Sequence, residues 1–532
     1  MSTKYNEITG KETLINSDDG AFSTDDSTDD TPKSEFDIKF DEYCSEWQHL
    51  ERNDKIKAFL FFSKEFSKQF LPVAFIFIIY IMINISNILF VSRDDSPEGK
   101  ILLNGVGLGL NLFNMIAVTV SLGISSALDT FCPHAFGAKQ YRLMGCYLNR
   151  ARFILTCAYV PVFFLLFFID YILIAIGQDE AVSIVAGKFC KGLLPGLIFF
   201  YYSDAQRRFL QAQTIIIWPV LCIIITSVLH PVWIFLLTKV GDTGAFGNGL
   251  SISVTNTFNF ILLYFVTRFK AKEETLVNFF VKETFMDIKE FFNIALPSMF
   301  MVCLEGWNYQ IITILSGYIE DQDQRNSHIL LLNISSVIYM FPFALSVTAS
   351  NIVGKYIGKH QPQSADVVCK MIIVYTSIVS FILFVLLQCF RTLIPYIFTA
   401  DENLASIMKI LLIYYTFYEI FDFMTTSYAG MFRGLGLQKI IAVANLICFY
   451  VISIPLNILL TFPAELGIYG TWISYLVVIV MLVSVYTVIY FFKVDFDEIC
   501  HITNRRLSVA QSIIDEQENS RKSSMASHGK DF

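Results

Sequence analysis

Apolar stretches of about twenty residues, separated by short polar segments, run through almost the whole chain. Each is long enough to cross a hydrocarbon layer about 30 Å thick. They predict twelve spanning helices, near residues 69–91, 101–125, 147–176, 183–203, 213–237, 245–267, 291–317, 328–353, 369–398, 404–430, 440–462 and 467–492. The expected fold class is an all-α membrane protein, and composition agrees: 54% of the 532 residues are hydrophobic and 16% are charged, against about 25% charged in soluble domains.

The polar remainder divides the chain. Residues 1–50 are acidic, with Asp18-Asp19, Asp25-Asp26 and Asp29-Asp30 among Ser and Thr, and read as a disordered tail. No apolar segment follows Met1, so the first span is expected to serve as its own membrane signal. Lys and Arg gather before span one (Arg52 to Lys68), between spans two and three (Lys139, Arg142) and between six and seven (Arg268 to Lys289). The positive-inside rule puts those segments, and with an even span count both termini, in the cytoplasm. Two six-span lobes are expected, 51–268 and 291–492, joined by a cytoplasmic linker at 269–290 and followed by a cytoplasmic tail at 493–532.

Punctuation recurs at a nearly fixed separation. Arg208-Phe-Leu-Gln-Ala-Gln213 returns as Arg433-Gly-Leu-Gly-Leu-Gln438 (433 − 208 = 225), and Leu71-Pro72 as Leu296-Pro297 (297 − 72 = 225). Pro231 pairs with Pro455 (455 − 231 = 224), and Gly244-Ala-Phe-Gly247 with Gly467-Ile-Tyr-Gly470 (467 − 244 = 223). Four punctuators in one order indicate a duplication. Because six is even, both halves enter the membrane in the same sense, and a pseudo-two-fold axis along the membrane normal should relate them. Such lobes can enclose a central cavity and open it to either side.

An acid at mid-membrane costs at least about 2.5–3.5 kcal/mol to insert, which makes it a functional candidate by default. Glu305 lies well inside span seven, about 12 Å beyond Pro297, with no basic neighbour in sequence. Glu419 and Asp422 in span ten are three apart and share a helix face. A carboxylate withdrawn from water binds a proton more readily, so a proton and a cationic substrate can compete for it. The alternative is a permanently protonated lock, hydrogen-bonded to Asn308, Gln310 or a tyrosine. Trp307, Asn308, Tyr309, Gln310, Asn333, Tyr339 and Tyr418 stand near these acids in sequence and supply candidate pocket walls, aromatic faces being attractive to soft cations.

Other signals carry less. Gly105-Val-Gly-Leu-Gly109 lacks a preceding strand and reads as helix packing. His134 and His230 are alternative proton carriers. The polar N-lobe residues Asn84, Asn87, Asn104, Asn111 and Asn114 either line a cavity or bond between helices. The cysteines, including Cys157, Cys222, Cys389 and Cys448, read as small buried hydrophobes, and no metal site is expected. Arg505-Arg-Leu-Ser508 has the spacing of a basic-directed kinase site, which makes Ser508 a candidate regulatory residue.

Several segments resemble the multidrug and toxic compound extrusion (MATE) family of cation-coupled antiporters. They are Ala127-Leu-Asp-Thr-Phe-Cys-Pro-His-Ala-Phe-Gly-Ala-Lys-Gln140, Arg208 to Gln213, Leu296-Pro-Ser-Met299, Ser346-Val-Thr-Ala-Ser-Asn351 and Arg433 to Lys439. Pro133-His134 and Ser92-Arg93 depart from the family's usual residues. By this resemblance Glu305 matches the coupling acid of span seven in eukaryotic members, and Asp422 the acid of span ten. The resemblance implies a monomeric secondary antiporter, not an enzyme, that exports organic cations or xenobiotics in exchange for protons. Na⁺ stays open as coupling ion, no cofactor or nucleic-acid partner is expected, membrane lipid surrounds the protein, and either the plasma membrane or an acidic organelle could host it. The alternatives are a lipid-linked oligosaccharide flippase, which needs a cationic cavity, and a membrane-embedded transferase, which needs a donor-binding loop.

Overall fold

The computed structural model describes residues 35–92, 96–399 and 401–528. The acidic pairs of the N-terminal tail, and Arg93, lie outside them. Among the described residues, twelve long helices form the bundle: α2 (Arg52–Val91), α3 (Pro97–Gly137), α4 (Tyr141–Phe167), α5 (Glu180–Ala212), α6 (Ile217–Val240), α7 (Gly244–Lys270), α8 (Ile288–Ser316), α9 (Gln322–Gly358), α10 (Pro362–Phe390), α11 (Glu402–Leu435), α12 (Gln438–Thr461) and α13 (Gly467–Lys493). A short α1 (Glu35–Ser45) precedes them and α14 (Phe496–His528) follows. Every expected span has its helix. Eleven are both long and apolar enough to cross a membrane. The twelfth, α8, is long enough but is diluted by Asn293, Glu305, Asn308 and Gln310.

The duplication is written into the backbone as well as the sequence. Left-handed residues recur in register: Lys139 with His360 (360 − 139 = 221), Asp242 with Glu465 (465 − 242 = 223), and Gly244 with Gly467. Each pair closes the same helix junction in its own lobe. Non-glycine residues rarely adopt such φ values, so matched occurrences reflect one ancestral loop geometry used twice.

The two lobes interlock at α2 and α8. The first half of α2 (Ala58, Phe62, Phe66, Phe70) shares the C-lobe core, while the start of α8 (Phe291, Ala295) sits in the N-lobe core. By pseudo-symmetry this is one contact made twice: α2 packs on α9 as well as on α6 of its own lobe, and α8 on α3 as well as on α12 of its own. Apolar helix faces bury where the axis brings them together, and chain order does not constrain that choice.

Two expected tails are also partly structured. Residues 35–45, assigned to a disordered tail, form α1, with Phe40 fully buried between Phe62 and Tyr356. The stretch after 493 is helical, and α14 buries Cys500 in the C-lobe core but Leu507, Ala510 and Ile514 in that of the N-lobe. It straps the two lobes at one end. Burial, and then the charge of Asp497, push the Cys500 thiol up to about 12, so it stays protonated and inert. The linker at 269–290 contains two 3-10 turns, with Glu283 and Thr284 buried. Cys222 and Cys448 are buried as expected; Cys157 and Cys389 are exposed on the outer face instead.

Candidate functional site

The three acids converge in the C-lobe. Glu305 on α8 is partly buried, and its Oε1 accepts a hydrogen bond from Tyr339 on α9 at 3.2 Å. One helical turn on, Tyr309 hydrogen-bonds to Tyr418 of α11, whose hydroxyl donates to Asp422 Oδ1 at 3.0 Å. With the Tyr418 proton directed at Asp422, Tyr309 is left to donate to Tyr418. The relay Tyr309–Tyr418–Asp422 and the separate Tyr339–Glu305 pair together link three helices, and each ends on a carboxylate. Glu419 and Asp422 are each 2% exposed, and Glu419 Oε1, beside the Tyr415 hydroxyl, makes no hydrogen bond of good geometry among the described residues. Asp422 senses the charges of both Glu419 and Glu305.

An aromatic wall backs the relay. Tyr309, Tyr418, Trp472 and Tyr475 have ring centroids 5.2–6.4 Å apart, and Tyr415 stacks beside them. Sequence reasoning missed Trp472 and Tyr475 of α13. Their i, i+3 spacing on one helix face was the available signal. It also gave Glu305 no basic neighbour, whereas folding brings Arg433 within electrostatic reach, without an ion pair.

Two of the expected pocket residues serve as anchors. Trp307 Nε1 donates to Met115 O at 3.3 Å, and Asn308 Nδ2 to Phe449 O at 2.6 Å. Both carbonyls belong to π-helical turns, Asn114–Val118 in α3 and Ile447–Ser453 in α12. Such turns shift the backbone ladder and make carbonyls available to side chains. Asn308 is fully buried, so its amide locks α8 to α12. Gln310 and Asn333 are exposed, apart from the relay. Asn87, whose role was open, bonds between helices, while Asn104 and Asn111 are exposed.

A second polar cluster closes the bundle at the end bearing both termini. Arg208 pairs with Asp129 and, at 3.1 Å, with Asp204, which also holds Arg207. Across the lobes, Thr130 donates to Arg433 O at 2.6 Å, His134 Nε2 meets Gly434 O at 2.7 Å, and Ser350 donates to Asp129 O at 2.9 Å. A Cβ on Gly137 would lie 2.2 Å from Lys355 O, and one on Gly358 would lie 2.2 Å from His134 O. Only glycine permits that approach. Arg506 of α14 completes the closure, against His134 Nδ1 at 2.6 Å and the Phe131 ring at 5.0 Å.

Neither histidine stands free to carry protons. His134 is held by Gly434 and Arg506, and His230 by Asn87 and Thr255, both at 2.8 Å. The glycines at 105 and 109 pack on Val185 and Phe189, as helix packing requires. Ser508 is exposed on α14, its hydroxyl donating to Arg505 O at 2.9 Å.

Known proteins share both sequence and fold. The MatE family profile matches residues 72–236 and 297–459, two stretches whose starts are again 225 apart (297 − 72). Protein DETOXIFICATION 16 of Arabidopsis thaliana is 26% identical over 445 residues, covering 84% of this chain and 90% of that protein. Multidrug and toxin extrusion protein 1 of Danio rerio is 29% identical over 402 residues, 75% of this chain and 67% of its own. The crystal structure of the eukaryotic MATE transporter AtDTX14 superposes with a TM-score of 0.78 at 25% identity, covering 84% of this chain and 99% of that one. Twelve helices in two duplicated lobes, a C-lobe acid cluster and a profile that matches once per lobe place this chain in the MatE family, the multidrug and toxic compound extrusion transporters.

Proposed function

We propose that this protein is a secondary active antiporter that exports organic cations or related xenobiotics in exchange for protons. The observation that carries the reading is a pair of tyrosine-tethered carboxylates on neighbouring helices, Glu305 held by Tyr339 and Asp422 held by the relay from Tyr309 through Tyr418. Ionised, these acids attract a cation beside an aromatic wall; protonated, they release it. Each state changes the hydrogen bonds between α8, α9 and α11, so proton binding biases helix arrangement as well as affinity. Glu419, whose buried Oε1 makes no hydrogen bond of good geometry among the described residues, is the third group able to take a proton in this cluster.

With both termini in the cytoplasm, as the basic loops favour, the Asp129–Arg208 cluster and the α14 strap close the cytoplasmic end. Alternating access then consists of opening that end while the opposite one shuts. Ser508 lies on the strap, outward-facing and inside a helix. A kinase that needs an extended segment reaches it only when α14 has come away, so phosphorylation there would mark and hold the released state. The flippase alternative is disfavoured because the buried arginines at 207 and 208 are neutralised by aspartates, which leaves Arg433 against the three C-lobe acids.

Proteoliposomes carrying an imposed pH gradient test the proposal. Wild type should accumulate a fluorescent organic cation against the gradient, and Glu305→Gln and Asp422→Asn should each lose at least tenfold of that flux while unfolding at the same temperature. Undiminished flux in either variant overturns that acid's role. Uptake driven by a Na⁺ gradient at clamped pH replaces the proton with sodium.

A further inference from the structure

The N-lobe holds a cavity of about 310 Å³ whose lining includes none of Glu305, Glu419 and Asp422. It lies between α4, α5 and α7 and is roofed by the inter-lobe linker, residues 273–278. Asn149 Nδ2 pins that roof by donating to Val277 O at 3.0 Å and Asn278 O at 3.2 Å. The roof sits so close to α4 that a Cβ on Gly145 would stand 2.2 Å from Thr275 O.

The chemistry of the lining is cationic. Arg152 gives one hydrogen bond to Asn149 Oδ1 and one to Gln206 Oε1, both at 3.2 Å, and both acceptors are neutral amides. Its Nε is buried without a partner. Arg152 is partly buried, and the buried arginines of this lobe each have an acid or a backbone carbonyl: Arg207 and Arg208 hold Asp204 and Asp129, and Arg150 the carbonyls of Glu283 and Thr284. A partly buried guanidinium whose partners are all neutral is best completed by an anion. Arg268 lines the same cavity from its exposed rim, and Glu273, also exposed, is the one acid there. Two fixed positive charges face one rim carboxylate.

The surroundings select among anions. Tyr264 lines the cavity and is 53% exposed, next to Phe265 at 52% and Phe269 at 76% on the outer face of α7. Lys270 lies over the exposed Trp218 ring at 4.6 Å. Aromatic residues mixed with Lys and Arg at the end of a spanning helix mark the level of lipid headgroups. A basic pocket between spanning helices at that level suits a phosphate carried on a lipid.

We propose that this cavity is a binding site for the phosphate-bearing headgroup of an anionic membrane lipid, held bidentately by Arg152 and at the rim by Arg268. Its acyl chains would lie along Tyr264, Phe265 and Phe269. Because the roof is the segment that joins the lobes, a bound headgroup ties the linker to the N-lobe.

Thermal unfolding of the full chain in phosphatidylcholine nanodiscs tests the site. Replacing a tenth of the lipid with phosphatidic acid or a phosphatidylinositol phosphate should raise the wild-type midpoint by several degrees. Arg152→Gln and Arg268→Gln should lose at least half of that shift, and Lys370→Gln, on the C-lobe surface, should keep it. Arg268→Gln covers the case in which Arg152→Gln does not fold, since Arg268 is exposed. No shift in wild type, or an equal shift in both arginine variants, overturns the site. A full shift with millimolar inorganic phosphate in neutral nanodiscs overturns the lipid source.

Discussion

Glu305, Glu419 and Asp422 of the C-lobe have Tyr80, Leu194 and Leu197 at the equivalent places in the N-lobe, each 225 residues earlier. Tyr80 stacks on Phe200 at 5.7 Å where its counterpart Glu305 accepts a tyrosine proton. The exchange runs the other way at the closed end. Arg208 pairs with Asp129 and Asp204, but its copy Arg433 faces Ser346, at 2.6 Å, and has a buried Nε without a partner. The positions matching the two aspartates are Ser350 and Ala429 (350 − 129 = 221, 429 − 204 = 225). One scaffold has thus been divided into a lobe whose acids are neutralised by arginine and a lobe whose acids are not. The first arrangement makes a polar latch, and the second leaves the carboxylates on which the proposed proton exchange rests.

Removing the latch should break the contrast most strongly. Arg208→Ala leaves Asp129 and Asp204 buried beside a single remaining cation, Arg207, and should cost about 3–5 kcal/mol, read as a lowered unfolding midpoint in detergent. Arg433→Ala loses one charged hydrogen bond and should cost about 1.5–3 kcal/mol by the same measurement. If the two arginines prove equal, the acids are not what distinguishes the lobes.

A smaller effect probes the N-lobe's polar core. His230→Ala deprives Asn87 and Thr255 of a shared partner and should cost about 1–3 kcal/mol of stability. Gradient-driven flux per folded molecule should stay at the wild-type level, because His230 is a lock. A variant that is stable yet uncoupled would restore it as a proton carrier.

The gentlest change sharpens the C-lobe side. Tyr418→Phe removes one hydroxyl from the relay and should weaken coupling by about 1 kcal/mol, roughly fivefold at 25 °C, with little change in the unfolding midpoint. A loss as large as that of Asp422→Asn would make Tyr418 indispensable to proton transfer. No loss would reduce the relay to packing.

Much of this was legible before any coordinates. The twelve spans, the 225-residue repeat and the identities of the three acids all follow from local pattern, because a hydrocarbon solvent makes every spanning segment apolar and every exception to that conspicuous. What pattern could not supply was direction. Trp307, Asn308, Tyr309 and Gln310 are consecutive, so a helix distributes them around its axis: Trp307 reaches α3, Asn308 reaches α12, Tyr309 joins the relay and Gln310 is exposed.

The chain itself therefore determined how many times it crosses, that it is a doubled unit, and which side chains carry charge into the membrane, since these depend on composition within a single helix. Only tertiary structure decided that α2 and α8 each pack against both lobes, that Arg433 comes within electrostatic reach of Glu305, that α14 straps the closed end, and that Arg152 lines a cavity with only neutral partners. Those outcomes depend on contacts between residues tens to hundreds of positions apart, which packing selects and no local spacing encodes.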